Sequence, residues 1–150
     1  MKNTTIDYAL RATWQAIAKM YNEEAKNFES TMAIGFTLLN IDPKEGTPST
    51  SLGPKMGMEA TSLSRILKSM EGKGYIVRRP NPNDGRGVLI HLTEQGLEKR
   101  GISKDAVLHF NSVVKSNISD EKLAHFFEVT DTINKLILEK KVYLKNAINK

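Results

Sequence analysis

The sequence contains no cysteine. This excludes a disulfide framework, a cysteine-based zinc site and a thiol redox switch, and it fits a reducing cytoplasm. No run of about 18 apolar residues occurs, so no transmembrane helix is expected. The opening residues Met1-Lys2-Asn3-Thr4-Thr5 lack the apolar core of a signal peptide, and none is expected. Of the three histidines, His91, His109 and His125, none lies three or four residues from another, so no helical metal motif forms. A nucleophile elbow and a glycine-rich phosphate loop of the required spacing are also missing. Internal repeats and low-complexity segments are absent. These absences lead to an expectation of a cytoplasmic protein that is not an enzyme and needs no cofactor and no metal.

What remains is an ordinary globular composition. The 150 residues suit one domain, and 39% hydrophobic with 26% charged residues allow a buried core. The net charge is +5 and is unevenly placed. Residues 1–50 hold 5 Lys/Arg against 6 Asp/Glu, residues 51–100 hold 9 against 5, and residues 101–150 hold 8 against 6. A basic excess in the middle third reads either as a solvated face or as the footprint of a polyanion. The order of elements there favours the second.

The stretch Met58 to Leu92 reads as a helix followed by a β-hairpin. Leu63, Ile66, Leu67 and Met70 fall at helical spacing and give one apolar stripe. Thr61, Ser62, Ser64, Arg65 and Lys68 occupy the opposite face. Gly72 and Gly74 are expected to stop the helix. Two β-like runs follow, Tyr75 to Arg79 and Val88 to Leu92. Between them Pro80, Asn81, Pro82, Asn83, Asp84, Gly85 and Gly87 predict a long basic tip. Arg78 and Arg79 lie on opposite faces of their strand, so one should point toward phosphates and the other toward an acidic partner.

Three ordered matches make this stretch resemble the winged helix-turn-helix core of the MarR family of bacterial transcription regulators. Thr61-Ser62-Leu63-Ser64-Arg65 resembles the start of the family's recognition helix. Glu71-Gly72-Lys73-Gly74-Tyr75-Ile76-Val77-Arg78-Arg79 resembles the exit from that helix into the wing. Asp84-Gly85-Arg86, followed by Leu92-Thr93-Glu94-Gln95-Gly96, resembles the Asp-x-Arg wing motif and the Leu-Thr-x-x-Gly that opens the next helix. The resemblance implies a mainly α (α+β) fold: a winged helix-turn-helix core, about 31–93, between dimerisation helices, about 5–28 and 94–148, in a single domain spanning 1–150.

The rest of the chain has the same element order. Ile6, Leu10, Trp14, Ile17, Tyr21 and Phe28 predict a first helix, with Asp7 suited to its positive end. Thr31 to Ile41 predicts a second, capped by Ser30. Asp42-Pro43-Lys44-Glu45-Gly46 is a surface turn. Thr47-Pro48 should open a third helix, short or kinked because Pro54 lies inside it, with Gly57 at the turn that follows. Met58-Glu59-Ala60 offers no ordinary cap to the recognition helix. Glu59 would repel phosphates there unless it reads a cytosine amino group. Thr93 should cap a helix from Glu94 to about Asn117, in which Gly101 allows a bend. Ser119, with Asp120 and Glu121, should start a last helix of nearly 30 residues, with a stripe from Leu123 through Phe126, Phe127, Ile133 and Ile137 to Leu144 and Ile148. That stripe either packs under the winged core or meets a second subunit. The resemblance favours the second, giving a homodimer.

The resemblance further implies a DNA-binding transcription regulator that recognises double-stranded DNA at a pseudo-palindromic operator. Thr61, Ser62, Ser64, Arg65, Lys68 and Arg86 would contact DNA, with Arg86 entering the minor groove, and Asp84 would hold the shape of the wing. Lys55, Lys68 and Lys73 would mostly neutralise phosphates. Asp84 and Arg86 also admit a plainer reading as an exposed ion pair. Members of the family are mostly repressors released by small, often aromatic, effectors. Trp14, Tyr21, Phe28 and Phe36 are apolar enough to line such a cavity, although Trp14 taken alone reads first as a core or dimer anchor. The competing class is a winged-helix module that binds protein rather than DNA, which the basic tip at Arg86 opposes.

Overall fold

The computed structural model describes residues 4–143. These residues form six helices and a three-stranded antiparallel sheet, in the order α1, α2, β1, α3, α4, β2, β3, α5, α6. Two compact units divide within α5, the first ending at Val107 and the second beginning at Leu108.

In the first unit, α1 (Ile6–Lys26) starts where Thr5 accepts the N–H of Tyr8 and Asp7 lies in the first turn. Helix α2 (Met32–Asn40) follows after a short reversal. Its cap is Thr31, whose hydroxyl accepts the N–H of Ile34 at 3.2 Å, and not Ser30 as the sequence suggested. Ser30 instead donates its backbone N–H to Ala25 and closes the end of α1. The turn after α2 forms as expected, because the Asp42 carboxylate accepts the N–H groups of Lys44 and Glu45.

Thr47-Pro48 departs from expectation. The pair forms strand β1, paired with Ile90 and Leu89 of β3, and α3 (Ser49–Met56) begins one residue later. Two local signals for a helix start are overridden because the Thr47 hydroxyl accepts the Asp42 N–H at 2.8 Å, which fixes the chain as it leaves the turn. Pro48 is tolerated because β1 is an edge strand, where a missing N–H costs no ladder bond. Helix α3 is only 8 residues long with Pro54 inside it, as expected. It ends at Gly57, where the backbone turns left-handed (φ 62°).

Helix α4 (Ala60–Gly72) buries Leu63, Leu67 and Met70, with Ile66 partly covered. Strands β2 (Ile76–Asn81) and β3 (Asp84–Leu92) complete a sheet of order β1-β3-β2. These elements enclose one core of Ile34, Leu38, Ile41, Leu52, Leu63, Leu67, Met70, Tyr75, Ile76 and Ile90. Each fully buried aliphatic side chain there contributes about 1.5–3 kcal/mol relative to exposure. The one fully buried hydroxyl of the α2 segment, Thr37, is satisfied by the Ala33 carbonyl at 2.7 Å.

Helix α5 (Glu94–Asn117) begins in the first unit and ends in the second. Thr93 caps it by accepting the Gly96 N–H at 3.0 Å, and it runs unbroken through Gly101. In the second unit, Ser119 caps α6 (Asp120–Leu138), as expected. At 19 residues, α6 is shorter than the stripe predicted. Lys140 turns left-handed (φ 55°) and Lys141 donates its N–H back to Leu136, which closes the helix before the stripe is exhausted. Leu144 and Ile148 lie outside the described residues. Both units carry exposed apolar side chains: Ile6, Tyr8 and Trp14 on α1, and Phe126, Phe127, Val129 and Ile137 on α6.

Candidate nucleic-acid interface

Helix α4 turns one face to the core and leaves the other bare. Thr61, Arg65 and Lys68 are spaced by four and three residues, so they form one ridge, with Ser62 and Ser64 on its flanks. All five are exposed, and none of their side chains bonds to another described residue. Among the described residues no acidic side chain pairs with Arg65 or Lys68. At the start of the helix Glu59 stands in the cap position without making a side-chain cap bond, as its sequence suggested.

The end of α4 sets where the wing begins. Gly72 is the last helical residue, and Gly74 performs the stop. Gly74 is left-handed (φ 79°), with its N–H bonded to Glu71 and that of Tyr75 to Met70, at 3.0 and 2.9 Å. Tyr75 and Met70 are both buried, which seals the turn with an apolar contact at the point where strand β2 starts.

The wing is more strand and less tip than the sequence indicated. Turn-forming residues from Pro80 to Gly87 suggested a long loop, yet only Pro82 and Asn83 lie between the strands. The pairing moves from Pro80–Val88 to Asn81–Asp84, leaving Gly85, Arg86 and Gly87 without facing residues in β2. This bulge pushes Arg86 out of the ladder. Asp84 holds it: one carboxylate oxygen accepts the Arg86 backbone N–H at 3.1 Å. A side chain at Gly87 would place its Cβ 3.0 Å from the other oxygen. The bond thus goes to the backbone, and among the described residues Asp84 and Arg86 form no side-chain ion pair. Among the described residues the Arg86 guanidinium has no partner, and it is exposed.

The two neighbouring arginines separate as their alternation requires. Arg78 pairs with Glu71 of α4 at 3.3 Å. Arg79, on the other face, has no ion pair among the described residues. Lys73 is less available than its sequence position implied, because its ammonium donates to the Glu29 carbonyl at 3.0 Å.

A second feature of the first unit is a cleft of about 540 Å³, including its open mouth, between α1, α2 and the start of α5. Tyr21, Phe28 and Phe36 line it, and burial raises the Tyr21 hydroxyl above its ordinary pKa. Trp14 is not part of its wall; it is half exposed and stacks on Phe36 with ring centroids 6.3 Å apart. Lys99, Ile102 and Ser103 of α5 supply the opposite wall. Sequence reasoning missed these three, since nothing local marks residues that meet the first helices only after folding. Among the described residues no cluster of three or more His, Cys, Asp or Glu side chains is placed to hold a metal, and no helix is long and apolar enough to cross a membrane.

Comparison with known proteins bears on the family and on the fold. The family model for the MarR family aligns with residues 31–88. The HTH-type transcriptional regulator SarZ of Staphylococcus aureus (strain USA300) is 31% identical over 121 residues, covering 80% of this chain and 76% of SarZ. Among solved structures, the transcriptional regulator SlyA superposes with a TM-score of 0.81 at 20% identity, over 91% of this chain and 96% of that one. MepR of S. aureus, solved in complex with DNA, gives a TM-score of 0.81 at 19% identity, over 89% and 100%. The structural likenesses establish the fold, and the sequence match to SarZ adds the family. The chain belongs to the MarR family of winged-helix transcriptional regulators.

Proposed function

We propose that the protein is a cytoplasmic, homodimeric, sequence-specific DNA-binding repressor, a regulator and not an enzyme. Each subunit places α4 in the major groove, where Thr61, Ser62, Ser64 and Arg65 meet base edges or phosphates and Lys68 neutralises phosphate. The β2–β3 wing reaches the minor groove, where Arg86 meets the strong negative potential of a narrow groove. Asp84 serves this by holding the Arg86 backbone, so less of the wing backbone has to be ordered on binding. Arg79 joins Lys55 in neutralising phosphate. The single observation that carries the reading is the coexistence of two free cationic elements in one unit: the unpaired Arg65–Lys68 ridge and the bulge that extrudes Arg86.

Dimerisation through the terminal helices follows from their uncovered apolar side chains. Phe126, Phe127 and Ile137 are 51%, 55% and 60% exposed, which is costly unless another chain covers them. Two-fold symmetry then calls for a pseudo-palindromic operator with half-sites about one helical turn, ~34 Å, apart. The cleft beside Phe28 and Phe36 takes a small apolar, aromatic effector. Such a ligand releases DNA only if it binds the DNA-incompetent arrangement more tightly.

The test is binding to random and selected duplexes across a salt series, with wild type beside Arg86→Ala. Wild type is expected to select a palindrome and to lose affinity steeply with salt, and the variant to bind it more weakly. Weak, sequence-blind attraction with no difference between the two proteins would turn attention to a protein partner instead.

A further inference from the structure

We propose that Lys73 and Lys99 act as a clamp that couples the cleft to the recognition helix; the inference rests on α4 being the DNA-reading element. The loop between α1 and α2 forms part of the cleft wall through Phe28, Ser30 and Thr31. Two consecutive carbonyls of this loop are held by lysines from distant parts of the chain. The Phe28 carbonyl accepts from Lys99 Nζ at 3.2 Å, and the Glu29 carbonyl accepts from Lys73 Nζ at 3.0 Å. Between these contacts Glu29 adopts φ 54°, a left-handed conformation that an L side chain disfavours. Bonds from an ammonium to a carbonyl are charge-assisted and stronger than neutral ones, and here they brace a conformation that is costly by itself.

Each lysine leads back to the end of α4. Lys73 is the C-terminal cap residue of that helix. Lys99 stands 6.0 Å from the ring centroid of Tyr75, the residue that follows the helix stop at Gly74. The Thr93 hydroxyl closes the remaining gap by donating to the Gly74 carbonyl at 2.6 Å while capping α5, the helix that carries Lys99. The contacts make a ring: cleft loop, Lys73, end of α4, Tyr75, Lys99 and back to the loop. Because Lys99 also lines the cleft, an occupant that displaces Phe28 or draws off the Lys99 charge disturbs the last turn of α4. By linkage the effect runs both ways, so DNA bound on α4 must steady the cleft loop.

That reciprocity gives a test needing no effector. Amide hydrogen exchange is followed with and without saturating duplex, using the DNA selected by the wild-type protein. The proteins are wild type, Lys73→Met, Lys99→Met and the charge-retaining Lys73→Arg. In wild type DNA is expected to slow exchange both in 60–72 and in the remote loop 27–31. Lys73→Met and Lys99→Met keep the slowing in 60–72 and lose it in 27–31, and Lys73→Arg retains both. A merely structural role would change exchange in the free protein without removing the response to DNA. The clamp is refuted if the loop responds equally in wild type and both methionine variants, or if it fails to respond in wild type while 60–72 does. Absence of slowing in 60–72 of wild type would instead overturn the DNA reading beneath it.

Discussion

Replacing Gly96 by alanine sets two effects of opposite sign against each other in one helix. Propensity alone favours the change, since alanine is about 0.8–1 kcal/mol better than glycine in a helix interior. Packing opposes it. The new Cβ would overlap the carbonyl oxygen of Tyr75 and lie 2.9 Å from its carbonyl carbon. That obstacle is backbone, and it is pinned: the Tyr75 N–H bonds to Met70 at 2.9 Å and its carbonyl accepts the Thr93 N–H at 3.0 Å. Tyr75 as a whole is only 4% exposed. Forcing a methyl group into a filled site costs about 1–3 kcal/mol, and straining the Thr93 bond costs about 1 more. The balance is a destabilisation of about 1–3 kcal/mol, which lowers a urea midpoint by roughly 1 M at an ordinary denaturant slope. Gly101→Ala is the control, because it lies in the same helix with nothing within 4 Å of a Cβ. It should raise stability by up to about 1 kcal/mol. Both are measured by urea unfolding at one protein concentration, since association shifts the midpoint. A Gly96→Ala midpoint at or above wild type would refute the close-approach argument.

Further outcomes follow from the same geometry. Arg65→Ala should cost about 1–3 kcal/mol on the selected duplex beyond its cost on random DNA; equal losses on both would make Arg65 a phosphate contact alone. Thr31→Ala should lower stability by about 1 kcal/mol through loss of the α2 cap, whereas Ser30→Ala should stay within about 0.5 kcal/mol in the same unfolding assay. The opposite ranking would restore Ser30 as the cap. The N–H groups of Glu45 and then Lys44 hold the Asp42 carboxyl below its ordinary value of 3.8. Since the folded-state value is depressed, its contribution is present above 3.8 and is lost as pH falls through the lower folded value. An NMR titration of Asp42 with a midpoint at or above 3.8 would contradict the turn geometry.

Much of the architecture was legible in the order of residues because its signals are local. Leu63, Leu67 and Met70 repeat at helical spacing, and the face they define is the one α4 buries. Thr93 and Ser119 stand just before helical runs and cap them. The alternation of Arg78 and Arg79 dictated that they separate, though not which would meet an acid. Legibility failed where a distant partner competed with a local preference. Thr47-Pro48 has the chemistry of a helix start, but Asp42 and the edge of β3 claim it for a strand. The turn formers from Pro80 to Gly87 suggested one long loop, because residue preference carries no information on register.

The sequence by itself therefore determined the number and order of the helices, the polar cationic face of α4, a stop at Gly72 or Gly74 and the presence of a basic wing. Each of these depends on periodicity, charge or a backbone requirement within a few residues. Only tertiary structure decided that Asp84 grips the Arg86 backbone across a bulge, that Arg78 rather than Arg79 is neutralised, and that Trp14 stands outside the cleft. It also decided that Gly96 is a contact point for Tyr75 and that Lys73 and Lys99 converge on one loop. The partners in those last contacts lie 21 to 71 residues apart in the chain. Nothing local encodes such meetings; they exist only once burial of the shared core has brought the segments together.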